Sequence, residues 1–261
     1  MTAWIIGHIL ATCIGISLGL IGGGGSILAA PILIYIMGVP AQSAFAMTLV
    51  IVGTVSIIGA IPHWRQGNVN LKIAALFSPT AMLGAYLGAR ATFLPIVTPT
   101  IQLITFGLVM LIASISMLRK GANQTDEFDE IVELNSEDNE PHKYRWLAIV
   151  MEGFVVGIIT GFVGIGGGFL VIPALVLLGN TPMKEAIGTS LIILALKSVT
   201  GFAGYFGHVF VEWNLLESFT AVASAGILIG TYFTKFFLPK DLEKGFGYFV
   251  LVVALFILIK R

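Results

Sequence analysis

The sequence predicts an all-α polytopic membrane protein built from two homologous halves, and three observations carry that prediction. The first is composition: 57% of the 261 residues are hydrophobic and only 11% are charged, whereas an ordinary soluble domain has about 25% charged residues. Mean hydropathy is +0.97. The second is that the charges cluster in short stretches. Between them lie long apolar runs, near or above the roughly 20 residues that cross a bilayer core as a helix. No barrel-like alternation is present, so helices that close their own backbone hydrogen bonds remain the way to occupy lipid. The third is an internal repeat. At an offset of 142 residues, Gly15, Gly19, Gly22, Gly24 and Gly25 fall on Gly157, Gly161, Gly164, Gly166 and Gly167. Pro31, Pro40, Ala44, Ser56 and Gly59 fall likewise on Pro173, Pro182, Ala186, Ser198 and Gly201, and 15 of the 46 pairs from 15 to 60 are identical. Shared hydrophobicity would scatter Leu and Ile matches, but it would not align glycines and prolines.

The apolar segments run over 4–37, 41–62, 71–93 and 101–118, then 146–179, 187–207, 215–237 and 245–259. Met1 to Gly15 has no basic start and no small-residue cleavage site, and reads as mature sequence. The polar stretch 121–143 carries eight acidic residues and reads as a solvated, cytoplasmic linker. The expected organisation is therefore a first membrane repeat at 1–120, the acidic linker at 121–143 and a second membrane repeat at 144–261. Cys13 is the only cysteine, which excludes an intrachain disulfide. No basic stripe or motif points to nucleic acid, and no metal-ligand spacing or nucleophilic triad emerges. Trp64, Trp146 and Trp213 lie near segment ends and read as interfacial anchors.

The first segment of each half is too long for one crossing. Residues 4–37 would make a helix of roughly 50 Å against a hydrocarbon core of about 30 Å. Gly22-Gly23-Gly24-Gly25 interrupts it, as Gly164-Ile165-Gly166-Gly167-Gly168 interrupts 146–179. Each glycine in a helix costs about 1 kcal/mol relative to alanine. The clusters therefore predict a turn or unwound backbone, followed by a re-entrant half-helix over 26–37 and 169–179. Two readings of them stay open. One is close helix packing through small residues. The other is an anion site made of free backbone N–H groups at a half-helix N-terminus. A nucleotide loop is excluded, because no lysine follows the glycines.

Charge placement predicts how the halves are oriented. If each half crosses an even number of times, the basic residues divide 8 against 5. If each glycine cluster is the tip of a returning hairpin, the second half is inverted. Arg65, Lys72, Arg119, Lys120, Lys143, Arg145, Lys184, Lys235, Lys240 and Lys244 then share one face, opposite Arg90, Lys260 and Arg261. Ten against three is the better positive-inside partition. Charge does not distinguish a re-entrant hairpin from two full spans. Inversion would bring both glycine tips together near the midplane, where two positive helix ends favour a small anion.

Two four-segment halves, each opening with a glycine-rich break followed by a proline, resemble the TauE/SafE permeases, the sulfite exporter or toluenesulfonate uptake family. The residues are Gly19-Leu20-Ile21-Gly22-Gly23-Gly24-Gly25 with Pro31, and Gly161-Phe162-Val163-Gly164-Ile165-Gly166-Gly167-Gly168 with Pro173. The likeness covers almost the whole chain except 121–143. It includes Gly188-Thr189-Ser190, where the first half departs with Ala46-Met47-Thr48. The resemblance implies secondary transport of a small sulfur-containing or organic anion such as sulfite, a sulfonate or sulfoacetate. A multi-pass position in the cytoplasmic (inner) membrane is the expected location, with protons as a candidate coupling ion and no cofactor. An anion channel with the same glycine site is the alternative. An intramembrane enzyme lacks a nucleophile and base.

The candidate substrate-binding residues are Gly22, Gly23, Gly24, Gly25 and Thr48 in the first half, and Gly164, Gly166, Gly167, Gly168, Thr189, Ser190 and Lys197 in the second. Lys197 lies mid-segment, where an ammonium costs at least about 2.5–3.5 kcal/mol without a partner. Its counterpart is Val55. It reads either as a contact to the anion or as an ion pair, with Glu152 the expected partner. Thr189, Ser190 and Thr48 could donate to an anion or bond their own backbone. His8 and His208 could relay protons, although His208 at a segment end reads more simply as interfacial.

Overall fold

The computed structural model describes residues 2–123, 142–164, 168–178, 181–237 and 239–259, and every element among them is helical. The first half holds α1 (Thr2–Ile21), a 3-10 helix (Gly22–Leu28), α2 (Ala29–Tyr35), α3 (Ala41–Arg65), α4 (Leu71–Ala91) and α5 (Pro99–Asn123). The second holds α6 (His142–Val163), α7 (Gly168–Pro173), a π-helical turn (Ala174–Leu178), α8 (Met183–Tyr205), α9 (Trp213–Thr234) and α10 (Pro239–Ile259). Shifted by 142, the starts of α3 and α4 coincide with those of α8 and α9. Among the described residues, five helices, α1, α3, α4, α8 and α9, are long and apolar enough to cross a membrane. The 121–143 stretch falls mainly outside the described residues; α5 runs into it as far as Asn123, and α6 begins at His142.

Local chemistry explains the boundaries. Pro40 and Pro182 hold extended backbone (φ −53°, ψ 139° and φ −55°, ψ 142°) directly before α3 and α8, because the proline ring fixes φ and removes an N–H that a helix start leaves unused. Asn70 caps α4 by accepting from the Ile73 N–H at 3.1 Å.

Of the two expected states, a turn or unwound backbone, the first glycine break takes a tightly wound turn; residues 165–167 of the second lie outside the described residues. Gly22 and Gly164 adopt positive φ (65° and 69°), the left-handed conformation that glycine tolerates. After Gly22 the chain does not unwind. It tightens into the 3-10 helix, whose eclipsed i, i+3 side chains are crowded in most sequences but not in a run of glycines. Beyond the breaks the helical chain continues over Gly25–Tyr35 and 168–178, near the expected length, with α2 following the 3-10 turn and a π turn following Pro173.

Packing is exchanged between the halves. Helix α1 lies along α9, and its counterpart α6 lies along α4, while α3 packs on α8 and α5 on α10. The 3-10 break and α7 touch each other between the α3–α8 pair and the α5–α10 pair. The exchange is visible atom by atom. A Cβ on Gly15 would overlap the Ala223 carbonyl and one on Gly226 the Thr12 carbonyl; at the same offset, Gly157 faces Ala81 and Gly84 faces Phe154. Glycine here lets two backbones touch, as small residues do wherever membrane helices pack closely.

The outward faces are apolar. Ile5, Ile9, Leu83, Leu87, Tyr232 and Phe256 are all exposed, forming a surface no soluble monomer would carry. Trp64 and Trp213 stand exposed in the last turn of α3 and at the start of α9, as interfacial anchors should; the Trp146 side chain lies outside the described residues.

The exchanged contacts carry a stability prediction. Gly84→Val should destabilise by about 1–3 kcal/mol through overpacking, read as a lower melting temperature in detergent. Gly245→Val, where an added Cβ meets nothing within 4 Å, should leave it unchanged.

Candidate functional site

The centre of the molecule is where the two breaks meet. Gly23 and Gly168 lie backbone against backbone, so that a Cβ on either would overlap the other. Ser190, on α8, closes this junction: its Oγ accepts from the Gly23 N–H at 3.3 Å and donates to the Ile187 carbonyl at 2.8 Å. The Ser26 hydroxyl donates back to the Gly23 carbonyl at 2.6 Å. Gly22 sits against Ser190 and Ile187, Gly25 against Ile14 and Leu18, and Gly24 lies within the same 3-10 turn. The Gly23 N–H, expected to be free, is thus engaged by Ser190. Gly164 packs on Phe45 and the Tyr205 hydroxyl. Gly166 and Gly167 lie outside the described residues.

Around this junction the hydroxyls are unevenly used. Thr48, at the position equivalent to Ser190, is fully buried, and its Oγ1 has no hydrogen-bond partner among the described residues. The equivalent pair Ser56 and Ser198 is in the same condition. Buried polar atoms nearly always find partners, so three such hydroxyls on α3 and α8 mark a polar seam in an apolar core.

Lys197 is also buried (1% exposed), and its Nζ donates to Thr160 Oγ1 at 3.2 Å. Thr160 stands four residues before Gly164, so the ammonium lies at the approach to the second break. The expected ion pair with Glu152 is absent. Glu152 lies eight residues earlier on α6 and opens into a different cavity, its Oε1 without a partner. Helical geometry separates the two positions by about 12 Å along α6.

A symmetric pair escaped the sequence reading. His63 Nε2 donates to the Gly19 carbonyl at 3.1 Å, and Tyr205 OH donates to the Gly161 carbonyl at 3.4 Å. Residues 63 and 205 are equivalent at the 142 offset, as are Gly19 and Gly161. Each donor secures the last turn of the helix before a positive-φ glycine. Comparing offset positions for shared function instead of identity would have found them.

Thr189 points away from the junction. Its Oγ1 accepts from the Asn70 N–H at 2.8 Å, Asn70 Nδ2 donates to Glu185 Oε1 at 2.6 Å, and Gly188 lies against the Asn68 carbonyl. The α3–α4 loop is thereby latched over the start of α8. The second half has no such latch among the described residues. There Glu212, Met47 and Ser43 replace Asn70, Thr189 and Glu185, Glu212 makes no side-chain cap for α9, and residues 209–212 border a cavity of about 720 Å³ with Trp4, Phe206 and Trp213. The histidines offered as proton relays are bound peripherally: His8 to Trp4 O and Ser218 Oγ, and His208 to Arg90 at 3.2 Å.

These features define a class: a polytopic helical membrane protein whose two equivalent halves interlock at broken helices. Comparison with known proteins makes the class specific. The family model described as "Sulfite exporter TauE/SafE" matches residues 8–257. A "Probable membrane transporter protein" of Xylella fastidiosa (strain 9a5c) is 32% identical over 248 residues, covering 94% of this chain and 91% of the relative. The probable membrane transporter proteins YdhB of Bacillus subtilis (strain 168) and MJ0441 of Methanocaldococcus jannaschii are each 26% identical, over 89% and 96% of this chain and 90% and 94% of their own lengths. No solved structure matches the chain. The chain belongs to the TauE/SafE sulfite exporter family and is a membrane transporter.

The latch is open to direct test. In a Cys13→Ala background, a cysteine replacing buried Ala186, beside Glu185 in α8, should react slowly with a soluble maleimide. Adding Asn70→Ala should speed that reaction several-fold, alongside a loss of about 1 kcal/mol in stability from removal of the α4 cap. An unchanged rate would mean that the loop does not close this face.

Proposed function

We propose that the protein is a secondary transporter that moves a small sulfur-containing or organic anion, of the sulfite, sulfonate and sulfoacetate class, across the cytoplasmic membrane by alternating access. The observation that carries the reading is Lys197: an ammonium in the core of the bundle, with a threonine hydroxyl as its hydrogen-bond partner and no carboxylate paired with it among the described residues. An intramembrane cation in that state is costly unless a counter-charge visits it. The unpartnered hydroxyls of Thr48, Ser56 and Ser198 support an oxyanion as the visitor, because each can donate its one O–H to one of the anion's oxygens. The glycine breaks admit it by keeping side chains out of the junction.

Inverted repeats and alternation have separate support. The ten-against-three distribution of basic residues favours an odd number of crossings per half. Contacts exchanged between equivalent helices suit two halves that rock against each other. The one-sided latch suits a molecule closed on the α3–α4 face and looser on the α8–α9 face. The family name and the named relatives support transport, with sulfur oxyanions as the family-level substrate.

Lys197→Met tests the anion site. It should keep the melting temperature and weaken anion binding by about 10–100-fold, as expected for loss of a charge-assisted hydrogen bond. The assay is counterflow in proteoliposomes, exchanging labelled for unlabelled sulfite, methanesulfonate or sulfoacetate. Wild-type counterflow with none of these would end the transport reading for this class, and conduction without counterflow would indicate a channel. Topology is tested by cysteine labelling in the Cys13→Ala background. Both termini should label from outside and the 121–143 stretch from inside; labelling of all three from one side would exclude inversion.

A further inference from the structure

The transport reading leaves the half-buried carboxyl of Glu152 unused. Between α5, α6 and the segment Gly168–Leu178 lies a cavity of about 610 Å³, walled by side chains such as Ile112, Val155, Leu170 and Pro173. Its polar residues are Ser116 and Glu152. Ser116 Oγ already donates to the Ile112 carbonyl at 2.9 Å, whereas the buried Glu152 Oε1 has no hydrogen-bond partner among the described residues.

We propose that Glu152 is the proton-binding site of this transporter, and that its protonation is coupled to movement of the second broken helix. The inference rests on the transport reading above and names its coupling ion. Three observations carry it: the unpartnered oxygen, the apolar cavity into which it opens, and the wall that this cavity shares with the break.

The chemistry selects the ligand. A hard metal cation takes six or more oxygen ligands, and one carboxylate in an apolar wall supplies too few. A proton needs only one oxygen. Among the described residues, no other charge lines this cavity. Among the described lining residues, α5 contributes Val109, Ile112, Ala113 and Ser116, and α7 and its π turn contribute Leu170, Pro173 and Ala174. Helix α4 meets the glycine face of α6 with Phe77, Ala81 and Ala85, and its Lys72 and Arg90 are exposed at its two ends. Lys197 reaches α6 only at Thr160. An ionised carboxyl in such a wall has to draw in water or a cation, whereas a protonated one lets the apolar walls close.

The shared wall supplies the coupling. Leu170, Pro173 and Ala174 belong to the segment that begins at Gly168, which abuts Gly23 at the junction of the breaks. Opening or closing the cavity therefore displaces the same backbone that borders the anion site. The first half places Leu10 where the second has Glu152, and Val55 where it has Lys197. One monovalent anion at Lys197 and one proton at Glu152 cross together without net charge, so a pH gradient drives uptake of such an anion and membrane potential does not.

Two measurements test this. Dicyclohexylcarbodiimide, which modifies protonated carboxyls in apolar surroundings, should label Glu152 of the wild-type protein in vesicles, faster at lower pH by mass spectrometry. Absence of labelling across the pH range would overturn the proposal without reference to any substrate. In proteoliposomes, the anion that supports counterflow should accumulate up to about tenfold per unit of pH gradient. Glu152→Gln should retain counterflow and lose that accumulation, and Glu152→Asp should restore it. Wild-type counterflow with no response to the pH gradient would refute proton coupling while leaving transport intact. Accumulation by Glu152→Gln at the wild-type level, or loss of its counterflow in a protein that still folds, would remove Glu152 from the coupling role.

Discussion

The contact on which the structure depends is backbone to backbone: Gly23 against Gly168, with no side chain between them. Two broken helices can meet this closely only if neither carries a Cβ at the crossing. That requirement fixes much of what surrounds it. The positive-φ glycines at 22 and 164 turn each chain into the junction, and His63 and Tyr205 hold the helix ends that lead there. Ser190 satisfies the donor that the turn would otherwise leave open. The long helices then pack as two pairs on either side of the breaks, and the flanking helices exchange partners across the halves. A junction with so little side-chain volume is also the natural place to pass a small solute.

The repeat was legible because glycine and proline carry backbone information that hydrophobic residues do not. Matches such as Gly22 with Gly164 and Pro40 with Pro182 located the breaks and the helix starts, and the structure places α3 and α8 directly after those prolines. The state of the breaks was less legible. A glycine run admits both unwound and 3-10 backbone, and a tertiary partner such as Ser190 is needed to decide between them. The partner of Lys197 was misjudged for a similar reason. Charge complementarity suggested Glu152, but Thr160 meets Lys197, and Glu152, two turns earlier on α6, opens into a different cavity. The Asn70–Thr189 contact joins residues 119 apart and leaves no local trace.

Departure from symmetry is as informative as the symmetry itself. The shared frame consists of glycines, prolines and small residues, which set how closely backbones approach. The differences are chemical: lysine for valine, glutamate for leucine, and an asparagine–threonine–glutamate latch for glutamate, methionine and serine. A scaffold fixed by backbone contacts tolerates such changes, because they alter charge and hydrogen bonding without shifting the helices. One half thus keeps the geometry while the other acquires the ionisable groups.

The exchange of helices between the halves also bears on how the chain is made. Helix α1 finds its main partner in α9, and so waits in the bilayer until nearly the whole chain has been synthesised. At ordinary translation rates, the 213 residues from Ile21 to Thr234 take about 10–40 s. During that interval the glycine face of α1 meets lipid tails, which solvate it without offering the close backbone contact it will later make. The first half is therefore a resident of the membrane before it is a folded structure, and assembly of the molecule is an event of its final third.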